Sequence, residues 1–470
     1  MSKASAATLN RAGRWRLPLR AICALALGIS ICGSAAGAPS PGPGLAKPDQ
    51  LVLYRNAALI DGTGAPLRRG VSILVRGERI ETVGPSSDAP PPGARVVDVS
   101  GLYVLPGLIN SHEHLSTPPD RAFAEAMMKK DLYGGVTAVR DMADDLRQVA
   151  DLSRGSLVGE IPGPDVYYAA LMAGPAFFED PRTHDDTRGA VAGQVPWMQA
   201  IAPSTDLTIA VAEARGTGAT AIKIYADLPA DRVVAITREA HRQGILVWAH
   251  AAVFPASPAE VVDAGVDTVS HVCMLAYQVS DAMPAAYHHR AAVQAEKVQG
   301  GDNPVIEGLL QDMKRRGEIL DATLRVYVEM TEDHAAHPTG PAPYCSDVLA
   351  ERLAAQAYRA GVLISTGTDD FSEASDPWPA LQDELELLQD KAGVKPADVI
   401  RFATLVGAMT VHKQDEMGTI AAGKLANLVF TTQNPLDGVR ALRTVKLTVK
   451  RGVMFWRKDY RPSHVRANAG

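Results

Sequence analysis

Between Leu51 and about Val104 the chain alternates apolar and polar residues in short runs broken by turn residues. Leu51–Arg55, Val71–Arg76 and Arg79–Val83 are three such runs, with Gly77-Glu78 between the last two. A period of two punctuated by turns predicts a small antiparallel β module. The texture returns near the C-terminus in Leu428–Thr431, Thr444–Lys450 and Val453–Arg457, with Gly452 at the last turn. Either half alone would leave sheet edges and an apolar face uncovered. The two are therefore expected to pack into one β-sandwich-like module.

The middle of the chain follows another rhythm. An apolar run, Leu102 to Ile109, leads into His112, and seven further short β-prone segments follow it. They are Val136–Asp141, Val166–Leu171, Ala221–Tyr225, Leu246–His250, Thr268–His271, Thr323–Met330 and Val362–Thr366. Amphipathic helical stretches such as Asp231–Gln243, Ser346–Ala360 and Ala380–Lys391 lie between or after them. Eight βα units imply a closed parallel (β/α)8 barrel with its functional residues at the C-terminal ends of the strands. The expected layout is a first β segment over 39–108, a barrel over 109–417 and a second β segment over 418–470.

Composition adds a boundary at the start. Residues 1–38 carry Lys3, Arg11, Arg14, Arg16 and Arg20, no acid, a short apolar run from Ala21 to Ile31, and Ala36-Gly37-Ala38. That is the form of a secretory signal peptide cut after about Ala38, so a periplasmic or secreted protein is expected. The apolar run is too short to leave a stable membrane anchor. Ile31 before Cys32 does not suit lipidation, and the arginines are never adjacent. Losing five cations and no acid takes the formal charge from −6 to −11. An acidic chain without a basic tract argues against nucleic acid as a partner. Two of the four cysteines leave with the leader. Cys273 and Cys345 remain, enough for one disulfide, although Cys273 reads first as a packed free thiol.

The chemistry concentrates at the ends of the predicted strands. His112 and His114 are spaced i, i+2, which turns both imidazoles to one side of a strand. Lys223 stands in the otherwise apolar Ala221–Tyr225, His250 and His271 end their strands, and Asp369 closes Ile364–Asp369. Imidazoles and carboxylates converging at strand ends suit a divalent metal of the zinc type. A buried lysine is costly unless paired or chemically altered, and carbamylation would turn it into a carboxylate able to bridge two ions. Taken singly, each histidine reads as packed or exposed, Lys223 as a snorkelling strand-end lysine, and Asp369 as a turn or cap residue competing with Asp370. Six suitable residues in order at strand ends read as a metal site.

His112-x-His114, Lys223, His250, His271 and Asp369, on strands one, four, five, six and eight, resemble the amidohydrolase superfamily. Pro106-Gly107-Leu108-Ile109 before the pair and the segment Gly418 to Val429 agree with it. The resemblance covers roughly residues 50–458 and looks nearest to the imidazolonepropionase-like and prolidase-like branch. It implies two divalent metal ions, one held by His112, His114 and Asp369 and one by His250 and His271. Carboxylated Lys223 and a hydroxide would bridge them, and Asp369 would shuttle the proton. The implied activity is hydrolysis of a C–N bond in a small amide or dipeptide-like molecule. Two departures stand out. Asn427 replaces a familiar aspartate in the β module. Dipeptidase-like relatives often carry an aromatic shortly after the strand-five histidine, whereas the run after His250, Ala251-Ala252-Val253-Phe254-Pro255, is apolar with Phe254 as its one aromatic.

Further residues are candidates for touching substrate. Tyr225 shares the face of Lys223, with ordinary packing as the alternative. His184 follows the third strand and could line the pocket, a solvated loop histidine being the other reading. His288-His289-Arg290 could bind a substrate carboxylate or lie on an exposed helix. Glu113 should point away from its flanking histidines. Hydrolysis of an ester, lactone or organophosphate on the same site is the alternative activity, and a metal-binding relative without catalysis is a further one. The partner expected is a small-molecule substrate, with room for a homo-oligomer.

Overall fold

The computed structural model describes residues 42–288, 290–340, 342–369 and 372–466. The expected leader over 1–38 lies outside them, as does His289. Five strands come first: β1 (Leu51–Leu59), β2 (Arg68–Arg76), β3 (Arg79–Pro85), β4 (Arg95–Asp98) and β5 (Tyr103–Pro106). β1 pairs antiparallel with β2, and parallel with β4 through its first half and with β5 through its last two residues. It can do both because it bulges at Asn56, whose φ is 68°. The register shifts between Tyr54 and Ala57. Val52 and Tyr54 point inward before the bulge, Ala57 and Leu59 after it.

A single residue, Gly107, separates β5 from β6 (Leu108–Glu113). The apolar run expected as one strand is therefore two strands in two sheets. Only glycine fits the join, since a Cβ there would stand 2.0 Å from Thr137 Oγ1. The barrel continues with β7 (Val136–Asp141) and β8 (Asp165–Ala173). A small hairpin, β9 (Gln194–Val195) and β10 (Met198–Ala200), extends the end of β8. The remaining barrel strands are β11 (Ala221–Ile224), β12 (Leu246–His250), β13 (Thr268–Ser270), β14 (Ile319–Asp321) and β15 (Leu363–Ser365). β6, β7, β8 and β11 to β15 pair in that order, all parallel. Between β15 and β6 the wall is carried by Ser111 N–H to Thr366 O at 2.8 Å and Asp369 N–H to His112 O at 3.0 Å. The result is a nearly closed eight-stranded barrel with helices around it.

Strand seven needs correction. The β-branched stretch Thr323–Met330 is not a strand but the start of the helix Leu324–Ala336. The strand is the three-residue β14 just before it. Tertiary capping overrides the β-prone side chains: the Glu384 carboxylate accepts the Arg325 N–H at 2.7 Å at the first turn. Other helices keep the caps legible in their sequence. Asp120 accepts from Phe123 N–H, Asn303 from Val305 and Ile306, and Ser346 from Leu349.

The chain closes with β16 (Leu428–Thr431), β17 (Val445–Lys450) and β18 (Val453–Trp456). β16 pairs antiparallel with β5, so strands from both ends form one mixed sheet in the order β18-β17-β16-β5-β1-β2-β3, with β4 beside β1. This sheet curls around its own core, where the rings of Tyr54 and Phe430 lie 5.2 Å apart. Asn427 links it to the barrel: its carbonyl accepts the Gly107 N–H at 2.9 Å, and its side chain accepts the Arg451 N–H at 2.8 Å. The free-thiol reading of Cys273 is also corrected, because Cys273 and Cys345 form a disulfide with Cα atoms 6.3 Å apart.

Candidate metal and substrate site

The strand ends set the geometry. His112 lies on β6, His250 ends β12, His271 follows β13 and Asp369 lies beyond β15. His271 and Asp369 have φ of 74° and 50°, a left-handed conformation that costs a non-glycine residue about 1 kcal/mol or more. Backbone bonds hold both there: His271 N–H to Asp321 O at 3.0 Å, and Asp369 N–H to His112 O. The i, i+2 histidines converge, with Nε2 of His112 and His114 at 3.6 and 3.3 Å from Asp369 Oδ1. Nδ1 of His271 lies 3.7 Å from Asp369 Oδ2. One ligand atom from each of His112, His271 and Asp369 falls within 4.8 Å of the others, a spacing that suits one ion. His250 adjoins them, its ring centroid 4.8 Å from that of His271.

Three imidazoles are oriented from behind. His112 Nδ1 meets Asp321 Oδ2 at 2.8 Å, His114 Nδ1 meets Asp144 Oδ1 at 2.6 Å, and His271 Nδ1 meets Thr323 Oγ1 at 3.0 Å. Partners of this kind fix tautomer and ring angle for a metal ligand. Asp321 is the hub, fully buried at the end of β14. It also accepts from Arg140 Nη2 at 3.0 Å and from the hydroxyls of Ser270 and Ser365 at 3.2 Å each. Arg140 in turn lies 4.5 Å over the Trp248 ring. None of Asp144, Asp321, Thr323 and Arg140 was singled out from the sequence. An acid ending a short strand was the available signal for Asp321, and misplacing strand seven hid it.

Electrostatics favour neutral His112, His250 and His271 and an ionised Asp369, with His114 drawn the other way. Burial pushes the pKa of His112, His250 and His271 down, furthest for the last two. At His114 burial is outweighed by Asp144 and Asp369, which raise it. Burial also opposes ionisation of Asp369, but His112, His114 and His271 outweigh it and hold the carboxyl far below its ordinary range. Lys223, on β11 and fully buried, is pushed down to about 7 by burial and then by Arg140. Its Nζ and the Nδ1 of His250 are buried without a hydrogen-bond partner among the described residues. Two orphaned nitrogens beside a His–His–Asp cluster fit a site built to receive a further group.

A cavity of about 110 Å³ opens onto these residues. Tyr225 lines it, its ring centroid 4.1 Å from that of His250. Arg290 lines it too, its guanidinium 4.2 Å from the Tyr287 ring and 4.3 Å from the Tyr344 ring. Arg290 donates to Tyr287 O at 2.9 Å and forms no ion pair with a described residue. Of the two readings of His184 the solvated one holds: it is exposed on the short helix Pro181–Asp185 and outside the cavity wall, while Arg182 of that helix reaches the cavity. The Asp180 carboxylate at the helix cap, 2.8 Å from Arg182 Nη2, holds the arginine in place. His288 stays out of the cavity wall as well, stacked on Phe177 at 6.0 Å.

Residues 103–454 match the profile of the amidohydrolase family. The chain belongs to this family. An imidazolonepropionase from Micrococcus luteus is 39% identical over 103 residues, 20% of this chain and 25% of that protein. The chain thus spans about a quarter of the length of the curated relatives it matches. Among solved structures, a Xaa-Pro dipeptidase with bound methionine in the active site has a TM-score of 0.69 at 20% identity, over 87% of this chain and 100% of that one. A prolidase complexed with N-methylphosphonate-L-proline has a TM-score of 0.65 at 22% identity, over 87% and 100%. At such identities the two structures bear on the fold. In this amidohydrolase-family chain the His112–His271–Asp369 cluster is a candidate metal site.

Proposed function

We propose that this amidohydrolase-family protein is an exported enzyme that cleaves the C–N bond of a small amide or dipeptide-like molecule carrying a carboxylate. The observation behind the reading is a conjunction in one cavity wall. The His112–His271–Asp369 cluster is there, and so is Arg290, a cation without a carboxylate partner among the described residues. Two zinc-type ions held by His112, His114, His250, His271, Asp369 and carboxylated Lys223 would acidify a water molecule and polarise a carbonyl. The protein's own groups do the rest. Asp369, ionised and beside three imidazoles, would take the proton of the attacking water and pass it to the leaving amine. Arg290 would bind the substrate carboxylate, and Tyr225 and Tyr287 would cover the reacting bond. Relatives named as dipeptidase and prolidase support an amide over an ester. Export rests on the leader-like residues 1–38, and a buried disulfide is in keeping with an oxidising compartment.

The test is metal analysis of the mature protein, followed by assay against matched amides and esters of one N-acyl amino acid series. Bound divalent metal and faster turnover of the amides are expected. Asp369→Asn should lower the rate about 10²–10⁴-fold and leave the folded protein intact. Failure to bind metal even on reconstitution, or a near-normal rate in Asp369→Asn, would overturn the reading. Turnover of the esters alone would transfer it to an esterase or lactonase.

A further inference from the structure

The cavity wall has two origins in the chain. Met274, Tyr287, Arg290, Val326, Met330 and Tyr344 all line it, and all six fall between Cys273 and Cys345. Every candidate metal residue lies outside that interval. One covalent loop, 72 residues from cysteine to cysteine, thus supplies a whole side of the pocket. The disulfide is buried, at 0% and 3% exposure of its residues. It sits where that side meets the other: Cys273 lies between His271 and Met274, and Cys345 directly follows Tyr344.

Tyr344 is held from three directions. Its hydroxyl is 2.9 Å from that of Tyr327, its carbonyl accepts the Val293 N–H at 2.9 Å, and its next residue is bonded through sulfur to the segment after β13. Arg290 leans on the Tyr344 and Tyr287 rings, donates to Tyr287 O and meets the Tyr277 hydroxyl, which belongs to the same covalent loop. Tyr344 is one of the groups that set its position, and no carboxylate of the described residues fixes it independently. A guanidinium steadied by ring faces shifts when a ring shifts.

We propose that the Cys273–Cys345 disulfide is a positioning element that sets the Arg290–Tyr344 wall, so that its reduction weakens carboxylate-bearing ligands selectively. The step is a two-electron reduction by an external dithiol. The S–S bond breaks, each sulfur gains one electron and one proton, and the dithiol closes its own disulfide. The ligand class rests on the reading of Arg290 given above, whereas the positioning role does not require turnover.

Calorimetric binding of N-acetyl-L-phenylalanine and of its uncharged carboxamide, to the oxidised protein and to the protein reduced with dithiothreitol, tests the proposal. Cys345→Ala and the double Cys273→Ala/Cys345→Ala variant provide permanently open forms, and reoxidation of the reduced wild type controls for misfolding. Opening the disulfide should weaken the acid about tenfold, leave the carboxamide within about twofold, and be reversed by reoxidation. With a hydrolysable analogue the effect should appear in KM and not in kcat. Equal acid binding in both states, an equal loss for acid and carboxamide, or two titratable thiols in the untreated protein would overturn it. If the oxidised protein binds the acid but turns over no amide, the proposed activity fails while the positioning role stands.

Discussion

The two sides of the cavity are built on different principles. On the strand-end side, His112, His114 and His271 each rest on a buried partner, and Asp321 ties one of them to Arg140 and two serines. On the loop side Arg290 rests on the faces of two tyrosines, the Tyr277 hydroxyl and one carbonyl, in a segment closed by a disulfide. The first arrangement tolerates little movement, since the Asp321 network leaves few free directions. The second holds its cation by weakly directional contacts, which suits a surface that can change ligands without disturbing the chemistry.

The largest expected effect comes from breaking the rigid side. Asp321→Asn keeps the shape but removes the charge that faces Arg140 and orients His112. Metal affinity should fall roughly 10–100-fold. Stability should fall by on the order of 3–5 kcal/mol, the cost of leaving one buried charge unpaired. Metal titration and urea denaturation check both, and an unchanged pair of values would mean that Asp321 neither orients nor compensates. On the loop side, Arg290→Ala should raise KM for carboxylate-bearing substrates about 10–100-fold with kcat nearly constant. A matching fall in kcat would move Arg290 into the reaction itself.

A third change touches neither side and sharpens the contrast. Glu318 lies just before β14, at the strand-start end of the barrel, buried with both carboxylate oxygens unpartnered among the described residues. Burial, helped by Asp263 and Asp267 and opposed by Arg316, pushes its pKa up to about 8. The folded protein then keeps a proton that the unfolded chain releases near its ordinary pKa of 4.5. Stability from this group is present below about 4.5 and is lost as pH rises to about 8. Glu318→Gln should therefore gain stability relative to wild type between pH 5 and 8, with no change in kcat or KM. Denaturation curves that stay parallel across that range would show that Glu318 is not held protonated.

What the sequence revealed follows from how local each signal is. The barrel was legible because every strand but one is a compact apolar run, and the residues at His112, His250, His271 and Asp369 punctuate those runs. Strand seven was not, since three residues are too few to stand out beside the β-branched start of the next helix. Asp321 was lost with it. The break at Gly107 was invisible because apolar residues continue across it, and only the proximity of Thr137 shows why the chain turns there. Arg182 was overlooked in favour of His184 because histidine draws notice as a ligand, whereas the reach of a long guanidinium depends on its anchor, Asp180. The cysteine pair had no spacing rule to announce it.

The pairing of β5 with β16 has a consequence for the order of assembly. Arg79 reaches the carbonyl of Gly423, 344 residues further along, so the earliest strands have their partners in the final stretch of chain. During synthesis β1 and β5 emerge long before β16 exists, and closing so long a loop cannot begin until the whole barrel has been made. The terminal sheet is thus a clasp that fastens last, and a chain cut short near its C-terminus loses the shelter of the strands it made first.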